Sequence, residues 1–157
     1  MTTAESADPP IAALAAILDE EMALYRRLEA LAAAQAEALR EDALDRLGAI
    51  SAEQLALIAE LHEQERRRRD LVEPGATLTD LIAAWGAPAD VLAARRDALL
   101  AQIERVREAN ARNRALIATL LDYQRERLQL ALHEQALYDA DGQVRPAPLR
   151  GLVDRRA

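Results

Sequence analysis

The side chains of this chain that could do chemistry or recognition are two histidines, His62 and His133, four consecutive arginines, Arg66 to Arg69, and an asparagine pair, Asn110 and Asn113. The histidines fall in different segments and form no His-x-x-x-His pair. His62 lies in Leu61-His62-Glu63-Gln64-Glu65, where a carboxylate-assisted metal site is conceivable. The plainer expectation is a solvated histidine and no metal. No residue pattern holds a nucleophile against a base. The five glycines are scattered, so no phosphate-cradling loop is expected. The arginine run could grip an acidic partner. However, four consecutive helical positions point all round the axis, and neutralising the negative end of a helix is the expected role. We therefore expect no catalytic residue, no cofactor and no enzymatic activity.

Asn110 and Asn113 are more informative. Leu99, Ile103, Val106, Asn110, Asn113, Ile117 and Leu120 follow one another in steps of four, three, four, three, four and three. That is the a/d rhythm of a helix built to lie along other helices. Two amides on such a seam give up apolar burial. Polar seam residues of this kind set register or partner choice. The plainer alternative is a partly solvated pair at the seam's edge, with Arg107, Arg112 and Arg114 nearby. Either way, the pattern is that of a helical binding device rather than a catalyst.

The elements that must position this seam are all helical. Pro9 and Pro10 suit a first turn, and a helix runs from there to about Arg40. Leu14, Leu18, Tyr25, Leu28 and Leu39 form its stripe, widened by Ile11, Ile17, Met22 and Leu31. Glu41-Asp42 is the expected break. Asp42 is read as the cap of a second helix, with Asp45 favouring the positive N-terminal end. This helix is expected to run continuously to about Val72, although Gly48 weakens it and Ser51 with Gln54 resembles a capping box. Glu73-Pro74-Gly75 stops it. Thr77 with Asp80 opens a short helix through Leu78, Leu81, Ile82 and Trp85, which Gly86 closes. Trp85 is expected to plug this helix onto the bundle. The last helix is expected from about Pro88 to about Gln135, which is roughly 70 Å at 1.5 Å per residue. Residues 1–8 read as a frayed leader with no basic n-region, hence not a signal peptide. Residues 141–157 read as a flexible tail, and 1–140 as a single helical domain.

Composition agrees. Among 157 residues, 51% are hydrophobic but only 3% aromatic, and there is no Phe. Alanine, leucine, glutamate and arginine dominate, and all are good helix formers. The fold class is all-α: an elongated antiparallel helical bundle or coiled coil of three long helices and one short one. A net charge of −7 argues against nucleic acid as a partner. The absence of cysteine excludes disulfides and thiolate metal sites. No apolar run approaches a membrane span of about 20 residues, so no stable membrane insertion is expected, and the expected compartment is the cytoplasm.

The first two helices are each expected to be roughly 45 Å long, shorter than the last. The far half of the last helix nevertheless stays apolar, through Leu116, Ile117, Leu120, Leu121, Leu128, Leu130, Leu132 and Leu137. A stripe of large aliphatics with nothing of its own to cover it marks an interaction surface, and the expected ligand is another amphipathic helix. The simpler alternative is that the first helix covers it.

The chain resembles the FlgN-type flagellar export chaperones over roughly Ile11 to Val144. The resemblance is carried by Ile17-Leu18-Asp19-Glu20-Glu21 through Tyr25 and Leu28, with the break ending in Asp42-Ala43-Leu44. It continues in Ala76-Thr77-Leu78-Thr79-Asp80-Leu81-Ile82, and in Asn110-Ala111-Arg112-Asn113-Arg114-Ala115-Leu116-Ile117 followed by Tyr138-Asp139-Ala140-Asp141-Gly142. It implies a cytoplasmic protein that binds the hook-associated proteins FlgK and FlgL before type III export in flagellum biogenesis. It further implies that Asn110, Asn113, Leu116, Ile117, Leu120, Leu121 and Leu128 bind a C-terminal amphipathic helix of the client. Tyr138, with Asp139 and Gly142, would dock on the export gate protein FlhA. Gly48 departs from the family pattern, in a stretch that is usually helical. The competing expectation is a structural coiled-coil protein that pairs with itself, burying the same leucines in a homodimer.

Overall fold

The computed structural model describes residues 10–137, with side chains as far as His133. The expected leader and tail, and the expected boundary at 140/141, lie outside the described residues. Those described form an all-α protein of four α-helices: α1 (Ile11–Arg40), α2 (Leu44–Asp70), α3 (Leu78–Trp85) and α4 (Asp90–Leu137). By its contacts the chain divides into two units, one ending at Leu116 and the other beginning at Ile117.

Within the first unit, the cross-helix pairs fix the direction of each helix. Glu20 meets Arg67 at 3.1 Å, Arg27 meets Glu53 at 3.3 Å and Glu37 meets Arg46 at 3.3 Å, so α2 runs antiparallel to α1. Asp19 takes both an Nε and an Nη hydrogen bond from Arg95, while Glu29 accepts from Gln102 and Ala32 from Asn113. These positions rise together, so α4 runs parallel to α1 here. In the first unit the three long helices therefore run up, down, up, each antiparallel to the long helix before it. The physical reason is α3. Its short crossover starts where α2 ends, beside the N-terminal half of α1, and returns the chain to that same end.

Two apolar clusters sit in series along α1. Leu14 and Leu18 pack with Ala89, Leu92 and Leu99, and Val72, Leu78, Ile82 and Trp85 close over them. Trp85 thus packs α3 onto this core. Further along, Leu24 and Leu28 meet Leu57 of α2 and Val106 of α4. Tyr25 borders both clusters.

The junctions follow local chemistry. Asp42 adopts a left-handed backbone (φ +54°). It does not cap α2, whose N-cap is Ala43 and makes no side-chain bond. Instead Asp42 ends α1: the Ala43 N–H donates to the Ala38 carbonyl at 3.0 Å, the six-to-one bond of a Schellman ending. Asp is among the few L-residues that visit this region readily. α2 passes through Gly48 without a break. Thr77 and Asp80 form the capping box expected of them, with Asp80 N–H donating to Thr77 Oγ1 at 3.2 Å and Thr77 N–H to Asp80 Oδ2 at 3.1 Å. The Thr77 hydroxyl, donating to Asp80 Oδ2 at 2.6 Å, and the Thr77 N–H beside it hold the Asp80 carboxyl below its ordinary range. Gly86, at φ +67°, then reverses the chain, and a single 3₁₀ turn, Ala87–Ala89, leads into α4.

Candidate helix-binding surface

The seam of α4 faces inward in the first unit: Leu99 and Val106 are buried and Ile103 is half-buried. Asn113, the next buried seam position, is only 5% exposed. Its Nδ2 donates to the Ala32 carbonyl at 2.8 Å and to Gln35 Oε1 at 2.9 Å. Both partners belong to α1, so this amide locks the register of α4 against α1. Asn110 is half-buried and lines a cleft of about 540 Å³, together with Tyr25, Leu61, Leu100 and Ile103. Leu116 is half-buried in a second groove, beside Ala32, Ala36 and Asn113.

Two buried polar groups are absent from the residues picked out by sequence. Gln102 is 1% exposed, and its Nε2 donates to Glu29 at 2.7 Å while its Oε1 accepts from Arg105. Glu21 is 7% exposed, and its carboxylate meets Arg68 Nε at 3.8 Å. Arg68 Nε is itself buried without a hydrogen-bond partner. Burial pushes the Glu21 carboxyl above its ordinary range, Arg68 opposes this, and Glu65 reinforces it. Burial likewise raises the Tyr25 phenol, with Glu21 adding to the effect. A signal for Glu21 existed in the sequence. It lies seven residues from both Leu14 and Leu28, on the repeat that buries them.

In the second unit, α4 presents apolar side chains with little over them. Leu121 is 51% exposed, Leu128 61%, Leu130 65% and Leu132 56%, while Ile117 and Leu120 are half-buried. At about 100° per residue, Ile117, Leu121, Leu128 and Leu132 point within about 60° of one another. They form one stripe, with Leu120 at its flank. Tyr123 lies under the Arg127 guanidinium, 5.8 Å from its ring centre, outside this stripe. The expected gate-docking residues Tyr138, Asp139 and Gly142 lie outside the described residues.

The residues weighed for chemistry are dispersed. His62 and His133 are both exposed, and no group of three or more His, Asp or Glu side chains able to hold a metal occurs among the described residues. The arginine run splits as its helical spacing requires. Arg66 pairs with Glu63 and Arg69 with Glu65 on α2, whereas Arg67 and Arg68 reach Glu20 and Glu21 of α1. Among the described residues, no helix is long and apolar enough to cross a membrane.

What this geometry offers is helix seams and an uncovered aliphatic stripe. The sequence profile of the family described as FlgN protein matches residues 10–146, most of the chain. The chain belongs to the FlgN family. No curated protein and no solved structure matches it. FlgN membership points to a flagellar export chaperone, a class defined by protein binding rather than by chemistry. The matched range contains both the Asn110–Asn113 seam and the stripe from Ile117 to Leu132.

Proposed function

We propose that this FlgN protein is a cytoplasmic chaperone that holds FlgK and FlgL by their C-terminal amphipathic helices and passes them to the export gate protein FlhA. The single observation that carries the proposal is the stripe itself: Leu121, Leu128 and Leu132 stand more than half exposed on one helical face. Each large aliphatic left in water forgoes about 1.5–3 kcal/mol of burial. An amphipathic client helix laid along Ile117, Leu121, Leu128 and Leu132, with Leu120 at the flank, recovers that burial for both partners. The client is thereby masked before export, with no bond made or broken and no cofactor. Asn110 and Asn113 act in this reading through register rather than as apolar contacts, Asn113 through its bonds to α1. Delivery is assigned to Tyr138, with Asp139 and Gly142, on the FlgN resemblance alone. The net charge of −7 disfavours nucleic acid as a competing partner.

The test is co-purification. Leu121→Asp with Leu128→Asp places two carboxylates on the exposed face. It is expected to abolish co-purification with FlgK while the far-UV helical signal persists. Undiminished FlgK recovery by the double variant would refute the assignment.

A further inference from the structure

Two Glu–Arg pairs of the first unit share one geometry but not one set of hydrogen bonds. Arg105 Nε stands 3.7 Å from a Glu29 carboxylate oxygen, too long for a hydrogen bond. Gln102 closes that gap: its Nε2 donates to Glu29 at 2.7 Å and its Oε1 accepts from Arg105. Arg68 Nε stands 3.8 Å from Glu21 in the same way, yet no amide bridges this pair. Among the described residues neither the Glu21 carboxylate nor the Arg68 guanidinium makes a hydrogen bond, and Arg68 Nε is buried. The Glu21 side chain is only 10% exposed, and a buried polar group without a hydrogen bond is costly. Both residues line the cleft of about 540 Å³ described above. Ile58 and Leu61 of α2 and Leu100 and Ile103 of α4 give it apolar walls, with Ile58 and Leu100 exposed. We infer that this cleft is a docking groove for an amphipathic partner helix that carries a glutamine in its apolar face, the amide bridging Glu21 and Arg68 as Gln102 bridges Glu29 and Arg105.

The hydrogen-bonding inventory selects that side chain. An ionised carboxylate only accepts and a guanidinium only donates, so the bridging group must do both. An ammonium or a carboxylate would satisfy one member of the pair and repel the other. A primary amide serves both with one planar group, and Gln102 shows that it fits a gap of this length. Size selects the helix. The cleft is bordered by Leu18 to Leu28 on α1 and by Ile58 to Arg68 on α2, each a rise of about 15 Å, or about three turns. Three turns of a helix about 10 Å across fill roughly 1,200 Å³. A cleft of about 540 Å³ therefore admits the side chains of one face rather than a whole element. Glu21 lies one to two turns inside the Leu18 end, so the glutamine enters near one end of that face. Aliphatics in the following two turns then meet Leu28, Leu61, Leu100 and Ile103. The groove lies wholly within the first unit and shares no residue with the stripe from Ile117 to Leu132. Equating its partner with the client rests on the function proposed above, whereas the groove itself does not.

The probe is a synthetic amphipathic helix of about four turns, made with Gln or with Met at one position of an otherwise leucine-lined face. Its binding is followed by fluorescence anisotropy with the full chain carrying Leu121→Asp and Leu128→Asp, which disables the stripe. The Gln peptide is expected to bind about tenfold more tightly than the Met peptide. Arg68→Met is expected to erase that preference, with far-UV circular dichroism as the control for folding. Leu100→Asp, at an exposed position, is expected to weaken binding of both peptides, and it decides alone should Arg68→Met lose its helical signal. Equal affinity for the two peptides, no saturable binding of either, a preference that survives in folded Arg68→Met, or undiminished binding by Leu100→Asp would each overturn the inference. Displacement of the bound Gln peptide by a FlgK C-terminal peptide in the same protein supports the client as the natural partner. Absence of displacement would overturn that identification while leaving the groove. Because the stripe is disabled throughout, failure of the groove leaves the assignment of Ile117 to Leu132 standing.

Discussion

Asn113 shows how one polar residue on a helical seam is tied down. Its side chain is spent on Ala32 and Gln35, so replacing it leaves Gln35 short of a donor and opens a small void. Asn113→Ala is expected to lower stability by about 1–3 kcal/mol, read from thermal or urea unfolding. Client affinity of the folded variant should be nearly unchanged. Loss of affinity without loss of stability would place Asn113 on the client surface instead. The seam was legible because a/d spacing is strict and Asn is conspicuous within it. Which partner the amide meets was not legible, because register between helices depends on contacts distant in sequence. Glu21 was missed for a related reason: a glutamate reads as solvent-facing until the seven-residue repeat through Leu14 and Leu28 is followed. Its carboxyl is pushed up by burial, with Glu65 and the Tyr25 phenol near it and Arg68 opposing. The folded state therefore binds this proton more tightly than the unfolded chain does. The stability Glu21 contributes is present below the unfolded value of about 4.3 and is lost as pH rises through the higher folded value. Glu21→Gln removes that titration. The melting temperature of the variant minus that of the parent is expected to increase from about pH 4 upward and then level off above the folded value. A flat or falling difference would contradict the burial described for Glu21.

Element boundaries divide into those with redundant signals and those without. Thr77 and Asp80 announce α3 twice, through reciprocal bonds at one helix start, and Pro74-Gly75 and Gly86 leave little freedom around it. The start of α2 carried one ambiguous signal. Aspartate is favoured both as an N-cap and, less often, in left-handed backbone, and the connection of Glu41, Asp42 and Ala43 is too short to separate the two by spacing. Tertiary closure of α2 against α1 decided for the left-handed ending. Two substitutions test these elements. Asp42→Gly relieves the steric cost of φ +54° and is expected to leave stability equal or raised by up to about 1 kcal/mol. Gly48 sits inside a continuous helix with open space where a Cβ would project. Gly48→Ala is expected to stabilise by about 1 kcal/mol, seen as a higher urea midpoint at unchanged slope. Destabilisation by Gly48→Ala would indicate a kink that the continuous α2 does not have.

At the scale of the molecule, the all-α fold and membership of the FlgN family point to a flagellar export chaperone. The all-α class was legible from composition and periodicity, since alanine, leucine, glutamate and arginine all favour helix and the apolar residues recur at its 3.5–3.6-residue period. The direction of α4 relative to α1 was not, because it depends on which end α3 returns the chain to. The stripe was legible as an apolar run whose coverage only the fold could decide. The claim on which the function rests is that Ile117, Leu121, Leu128 and Leu132 take up an amphipathic client helix. Titration calorimetry of the protein with a FlgK C-terminal peptide at several temperatures tests it most directly. The expected result is saturable one-to-one binding with a negative heat-capacity change, the mark of buried apolar surface, abolished by Leu121→Asp with Leu128→Asp. Absence of binding, or binding by the double variant with the same affinity and heat-capacity change, would contradict it.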